Sequence, residues 1–299
     1  MAHIMPHAHM TVCPNELIDW YDRSRRDLPW REAGVSAWQI LVSEFMLQQT
    51  PVARVLPIWA DWVRRWPTPS ATAAASAADV LRAWGKLGYP RRAKRLHECA
   101  TVIARDYDDV VPADVDTLLT LPGVGSYTAR AIACFAYRQP VPVVDTNVRR
   151  VVARAVHGLA DAGAPSAARD HADVSALLPD DERAPTFSVA LMELGAIVCT
   201  ARAPRCGLCP VTRCAWRDAG SPPAEGPARR AQTYAGTDRQ VRGCLLDVLR
   251  GNDSPVTRAQ LDVAWLTDTQ QRDRALASLV ADGLVTRTVD GRFALAGEQ

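Results

Sequence analysis

Apolar positions recur at intervals of three and four along most of residues 15–200, as in Trp38, Leu41, Val42, Phe45 and Met46, or Val80, Leu81 and Trp84. That period belongs to one buried helical face, and Gly, Pro and short polar breaks separate the segments. Strand-like alternation is scarce here, so the body of the chain is expected to be all-α. Composition shifts over 218–236, where Ser221, Pro222, Pro223, Gly226, Pro227 and paired Arg229-Arg230 predict a linker. Beyond it the pattern predicts an amphipathic helix over 238–250, a shorter one over 258–265 and a third over 268–282. Two runs, 284–289 and 292–295, then flank Asp290-Gly291, a hairpin signal. Three helices and a hairpin predict a small winged-helix-like module at 237–299, a shape that serves DNA or an as yet unknown protein partner.

With 299 residues, 48% of them hydrophobic, the chain has material for about two domains. It has no run of about 18 uncharged apolar residues, so no membrane partner is expected. Residues 1–14 lack the basic-then-apolar signature of a secretory signal and are expected to be disordered. A soluble cytoplasmic protein follows. Eight cysteines in that compartment argue against a disulfide framework. Cys13, Cys99, Cys134 and Cys244 are scattered and read as small buried hydrophobes. Cys199, Cys206, Cys209 and Cys214 crowd into one short stretch, and four such thiolates hold zinc or an iron–sulfur cubane. Only one Cys-x2-Cys pair occurs, whereas zinc sites usually set two such pairs apart. Net charge is +2, and of 35 basic residues only Lys86 and Lys94 are lysines. Over 218–299, 10 Arg stand against 11 Asp plus Glu, which does not advertise DNA contact by the module.

Three segments carry candidate chemistry. A helix end at 115–120 leads into Leu121-Pro122-Gly123-Val124-Gly125-Ser126-Tyr127 and a further helix to 137. Two glycines two apart permit a tight turn with outward N–H groups, and a helix start behind them favours an anion. Glu44, in a helix predicted from about 38 to 49, shares a face with Ile40 and Leu47. A carboxyl on an apolar stripe is desolvated and its pKa raised, as a general acid requires, although a helix glutamate paired with arginine fits the same pattern. Asp145 follows an apolar run and precedes a helical stretch, the place of an N-cap, where the helix start favours its ionised form. Trp30 and Tyr89 have core aromatics as their alternative reading, and Gly88 beside Tyr89 allows close backbone approach.

The hairpin, the run Val143-Val144-Asp145-Thr146-Asn147-Val148-Arg149-Arg150 and the four cysteines occur in an order that resembles the endonuclease III superfamily of DNA glycosylases. Leu28-Pro29-Trp30-Arg31 and Ser43-Glu44-Phe45-Met46-Leu47-Gln48-Gln49-Thr50 are similar to its adenine glycosylase branch, the MutY family. The resemblance covers roughly 15–217. It implies a two-lobed helix-hairpin-helix fold, with a six-helix lobe over 28–140 and a cluster lobe over 15–27 and 141–217. It implies a [4Fe–4S] cluster on Cys199, Cys206, Cys209 and Cys214 that positions DNA. Glu44 is then the acid, and Asp145 stabilises the cationic sugar on the other side of the bond. Tyr127 stands where strand-cutting relatives have a Schiff-base lysine. Arg26, Leu28, Trp30, Arg31, Gln49 and Tyr127 would line the pocket of a flipped adenine. Gln48, Gln49, Thr50, Tyr89, Leu121, Gly123, Gly125, Arg202 and Arg205 would meet DNA. The expected function is a monomeric, nucleoid-associated, monofunctional glycosylase acting on double-stranded DNA with adenine opposite 8-oxoguanine or guanine. The rivals are a thymine glycosylase at G:T mismatches and a catalytically silent iron–sulfur DNA-binding or redox-sensing protein. The sequence departs from the family at the final Cys gap of four rather than five, at Pro51, at Val189 where relatives have Gln or Glu, and in its small C-terminal module.

Overall fold

A computed structural model describes residues 11–224 and 234–298, and in them the chain forms fifteen α-helices and one two-stranded sheet. Helix α1 (Pro14–Ser24) precedes α2 (Ala37–Leu47), α3 (Val52–Arg65), α4 (Pro69–Ala73), α5 (Ala77–Trp84) and α6 (Arg91–Asp106). The short α7 (Val115–Leu119) leads into α8 (Ser126–Phe135), followed by α9 (Thr146–Ala155), α10 (Ala167–Ser175), α11 (Ala184–Ile197) and α12 (Ala215–Asp218). The last segment holds α13 (Asp238–Arg250), α14 (Arg258–Asp262), α15 (Thr269–Ala281), β1 (Val285–Arg287) and β2 (Phe293–Leu295). None of the described helices is long and apolar enough to cross a membrane.

Most of the predicted N-terminal disorder (1–10) and the central part of the predicted linker (225–233, with Gly226, Pro227 and Arg229-Arg230) lie outside the described residues. Val12, within the stretch expected to be disordered, is instead buried in a core. Of the scattered cysteines, Cys99 and Cys134 are buried as expected, whereas Cys13 and Cys244 are only half-buried.

The chain divides into two compact units. The first comprises Met1–Ile40, Ala113–Leu119 and Val124–Ala228. Its core gathers Leu17 of α1, Val148 and Val152 of α9, and Phe187, Leu191 and Leu194 of α11. Helix α11 is apolar nearly all round, as a fully buried helix must be, and Glu193 is its one charged residue. Gly195 sets how closely it meets α9: a Cβ there would lie 2.7 Å from both the Cβ and the carbonyl oxygen of Asn147. Arg150 fixes the contact, donating to the Gly195 carbonyl at 2.7 Å and to Asn147 Oδ1 at 2.8 Å.

The second unit comprises Leu41–Pro112, Thr120–Gly123 and Arg229–Gln299. Trp62 packs edge-on against Trp66 and Trp84, with centroids 4.7 and 6.0 Å apart. Thr68 caps α4 and Ser76 caps α5 through their side-chain oxygens, each cap contributing about 1 kcal/mol. The C-terminal segment docks on this group by polar bonds. Arg250 donates to the Leu81 carbonyl at 3.1 Å, Arg82 to the Asn252 carbonyl at 2.7 Å, and Arg91 pairs with Asp282. Helix α13 has its predicted bounds. The hairpin strands are shorter than the predicted runs, because Thr288 already bonds Arg292 across the turn and Val289 stands in solvent. A bridge from Val256 to Phe293 adds a third short edge.

Candidate active site and cluster loop

Glu44 lies on α2 and is 5% exposed, so its carboxyl is desolvated as the sequence pattern predicts. The helix ends at Leu47, two residues earlier than predicted, because Gln49 takes a left-handed conformation with φ 56°. Arg92 on α6 holds this end in place. One of its guanidinium nitrogens donates to the carbonyls of Phe45, Met46 and Gln48 at 2.8, 3.0 and 2.6 Å, and the other to Thr50 Oγ1 at 2.9 Å and the Gly88 carbonyl at 3.1 Å. Terminal helix carbonyls need such donors. Burial pulls the Arg92 pKa down to about 10, which keeps it charged at neutral pH. Thr50, expected at DNA, is buried and bonded to Arg92 and the Leu87 carbonyl, so its part is to brace the loop. Gln49 and Tyr89 are exposed in the same unit, and Tyr89 is also left-handed, at φ 48°. Nothing in the local sequence marks Arg92. Arg92→Ala is expected to destabilise the protein by about 2 kcal/mol, since it strands carbonyls in a dry setting; urea unfolding measures this.

The two hairpin glycines differ. Gly123 has φ 79°, and a Cβ there would lie 2.7 Å from the Arg95 Cβ and 2.9 Å from the Phe45 ring, so only glycine fits. Gly125, expected to share this conformational role, has an ordinary φ of −99° and open space where a Cβ would stand. It is the N-cap of α8 and offers no side chain to the first-turn N–H groups, which suits a phosphate. Leu121 is buried beneath the turn. Tyr127, half-buried on α8, donates towards Met192 Sδ at 3.9 Å.

Asp145 caps α9 as predicted, accepting from the Val148 N–H at 2.7 Å and from Asn147 Nδ2 at 2.7 Å. The direction of its pKa shift departs from the expectation. Burial pushes its pKa above the ordinary aspartate value, outweighing the cap bonds and the Arg150 charge that oppose it.

Leu28 and Trp30 are buried, with Trp30 on the 3-10 turn Pro29–Arg31. Arg26 and Arg31 converge on a residue the sequence reading missed. Glu193 is 0% exposed and receives the Arg26 backbone N–H at 2.9 Å, its Nε at 2.8 Å, its Nη2 at 2.7 Å and Arg31 Nη2 at 2.9 Å. Hydrogen bonds and charge from the two arginines overcome burial and draw the Glu193 pKa down to about 2. The available signal was a lone carboxylate inside an apolar helix. Val189 packs half-buried against the core of the same unit.

The four cysteines carry free thiols. Cys214 is buried in the first unit's core, Cys199 and Cys209 pack against it, and Cys206 opens the turn Cys206–Leu208. Burial, with Cys199 and Cys214 nearby, pushes the Cys209 thiol up to about 11. Buried Arg154 runs beneath the loop, donating to Cys199 Sγ at 3.5 Å and to the Thr200 carbonyl at 2.7 Å, while its guanidinium lies 4.8 Å from the Trp216 ring centre. Cys214 Sγ donates to the Arg154 carbonyl at 3.6 Å. Among the described residues, no three His, Cys, Asp or Glu side chains converge tightly enough to grip a single metal ion. Arg202 and Arg205 are exposed on the loop.

Residues 42–171 match the profile of the HhH-GPD superfamily base excision DNA repair protein. A protein of Mycobacterium tuberculosis (strain CDC 1551 / Oshkosh) called adenine DNA glycosylase is 78% identical over 302 residues, spanning 100% of this chain and 99% of its own. A thermostable thymine-DNA glycosylase superposes with a TM-score of 0.63 at 26% identity, over 69% of this chain and 95% of its own. Endonuclease III, in a trapped covalent DNA intermediate, shares the fold with a TM-score of 0.61 at 20% identity, over 73% and 99% of the two chains. The chain belongs to the adenine DNA glycosylase family, within the HhH-GPD superfamily.

Proposed function

We propose that the chain is a monofunctional DNA N-glycosylase that removes adenine mispaired with 8-oxoguanine or guanine. The observation that carries this reading is Glu44, a carboxyl 5% exposed on an apolar helix and thus suited to hold a proton until a base needs it. Glu44 protonates a ring nitrogen of the extruded adenine. The C1′–N bond then breaks, its electron pair leaving with the now neutral base, and Asp145 as the anion stabilises the oxocarbenium sugar. Water adds to C1′ and loses a proton, which gives an abasic site. Asn147 and the α9 amides hold the Asp145 oxygens in place. Leu28, Trp30, Tyr127 and the Glu193-anchored Arg26 and Arg31 form the base pocket. Gln49 and Tyr89 enter the base stack, and the Gly123–Gly125 turn with Gln48 grips the backbone.

The two lysines and Tyr127 support the monofunctional reading. Lys86 pairs with Asp247 at 3.4 Å and Lys94 donates to the Asp282 carbonyl, both within the second unit, and Tyr127 holds the corresponding hairpin position. Single-turnover assays on duplexes with A opposite 8-oxoguanine, A opposite G and T opposite G are expected to release adenine from the first two alone, with strand breaks only after alkali. Thymine release without adenine release would transfer the chain to the G:T class. Tight binding with no release from any duplex would make it a silent binding protein.

Cys199, Cys206, Cys209 and Cys214 would hold a [4Fe–4S] cluster. Cys199, Cys209 and Cys214 gather at one core and Cys206 opens the adjoining turn, and four such thiolates suit a group that offers one iron to each. Arg154 and Arg150 supply positive charge against those thiolates. When bound, the cluster supplies a rigid staple for the loop and no acid, base or nucleophile. Arg202 and Arg205 present their charges to phosphates. Purified protein is expected to be brown, with iron and acid-labile sulfide in equal amounts; colourless protein containing zinc would refute the assignment.

A further inference from the structure

We infer that the segment after the linker belongs to the DNA-binding surface: one face of α13 and the loop carrying Tyr89 form a groove for the sugar–phosphate backbone of a DNA strand, the polymer being identified by the glycosylase reading above. The groove lies wholly within the second unit and encloses about 830 Å³. Arg54, Lys86, Arg91, Arg239, Arg242 and Arg250 line it, against one lining carboxylate, Asp247. Internal pairs absorb part of that charge. Asp247 meets Lys86 at 3.4 Å and Arg250 at 3.3 Å, and Asp282 meets Arg91 and, at 2.6 Å, Arg242. Arg54 and Arg239 have neutral partners instead, the Lys86 carbonyl and the Tyr89 hydroxyl. Among the described residues no carboxylate pairs with either.

Tyr89 sits between guanidiniums, with Arg239 4.5 Å and Arg92 5.4 Å from its ring centre. Gln49 also borders the groove. Uncompensated cations beside an aromatic face, in a trough of about 830 Å³, are the chemistry that follows a nucleic-acid backbone. The near-neutral sum over the segment conceals this, because Arg239, Arg242 and Arg250 of one helix all face the same trough.

Full-length protein titrated with an undamaged duplex, followed by fluorescence anisotropy at several salt concentrations, tests the inference. Arg239→Glu and Arg54→Glu are each expected to weaken binding about tenfold near 0.1 M salt and to lower the slope of log K against log salt by about one. Arg239→Gln, which neutralises without reversing charge, should lose roughly threefold, so the outcome does not hang on one variant folding. Arg287→Glu, a charge reversal on the exposed hairpin of the same segment, should stay within about twofold. Unchanged affinity in the Arg239 and Arg54 variants would overturn the inference. Equal weakening by Arg287→Glu would overturn it too, as a net-charge effect. Failure of the glycosylase reading is separately visible, as wild-type protein that binds duplex yet releases no adenine.

Discussion

Glu44→Gln and Asp145→Asn are each expected to lower the single-turnover rate of adenine release by about a thousandfold or more while mismatch binding persists. The first variant cannot give up a proton, and the second cannot offer a negative charge to the sugar. Retained turnover in either would remove that residue from its role. The pH dependence follows from burial at Asp145, which raises its pKa above the usual aspartate range. The proposed mechanism needs the anion, so the rate is expected to be lost as pH falls through that raised value, with the acid limb higher than for an exposed aspartate. The same shift has the opposite sense for stability. A carboxyl whose folded pKa is raised favours the fold when protonated, and that contribution is lost as pH rises through the folded pKa. The ionised form of Asp145 is therefore a strain on the fold. Asparagine caps a helix as well as aspartate does, and removing the buried charge offsets the bond from Asn147 Nδ2 that its amide nitrogen cannot accept, so the inactive Asp145→Asn is expected to melt close to the wild-type temperature. A clear drop in melting temperature would contradict the burial argument.

Glu193→Gln is expected to be the most destabilising single change among the residues considered, because it leaves two inward-facing guanidiniums without their anion. A shift of the carboxylate from its ordinary 4.5 to about 2 corresponds to roughly 3 kcal/mol, in the range of about 3–5 kcal/mol for breaking a buried pair. Arg26 is 36% exposed and Arg31 16%, so the lower end of that range applies. Here the folded pKa is depressed, so the stabilisation is complete above the unfolded value and fades as pH falls towards 2. The gap in unfolding free energy between wild type and Glu193→Gln should thus be full at pH 7 and shrink by roughly half near pH 3. A gap that ignores pH would mean that packing, not charge, sets the loss. With both arginines released, the rise in KM for the mismatched duplex should come with a fall in kcat, since Arg31 is held by this carboxylate and Arg26 is fastened to it through backbone and side chain alike.

Residues that act through local pattern were readable before any fold was known. Glu44 stood on an apolar stripe, Asp145 stood ahead of a helix, and the cysteines carried their spacing with them. Helix α13 had a clean amphipathic period and a turn on either side, and it forms where predicted. What escaped was set by distant chain. Arg92 completes α2 from 44 to 47 residues away, and no local sequence rule connects an arginine to carbonyls so far off. Glu193 meets Arg26 across 167 residues. The cap at Asp145 was legible but its charge balance was not, because burial depends on everything packed around it. The two hairpin glycines look alike as letters, and only the Arg95 and Phe45 side chains behind Gly123 separate them. The C-terminal arginines were averaged away in a summed charge that ignores which face of a helix they occupy.

Gly195 extends the requirements of the chemistry to a residue that performs none of it. Its missing side chain lets α11 rest on the first turn of α9, so the helix bearing Glu193 and the helix capped by Asp145 are set in register by a hydrogen atom. Even the smallest replacement, Gly195→Ala, should push the two apart and misalign anchor and anion together. In an activity screen of variants, lesions at this position are expected to score alongside changes at Glu44, and a tally of sensitive sites that tracks only polar side chains would overlook them.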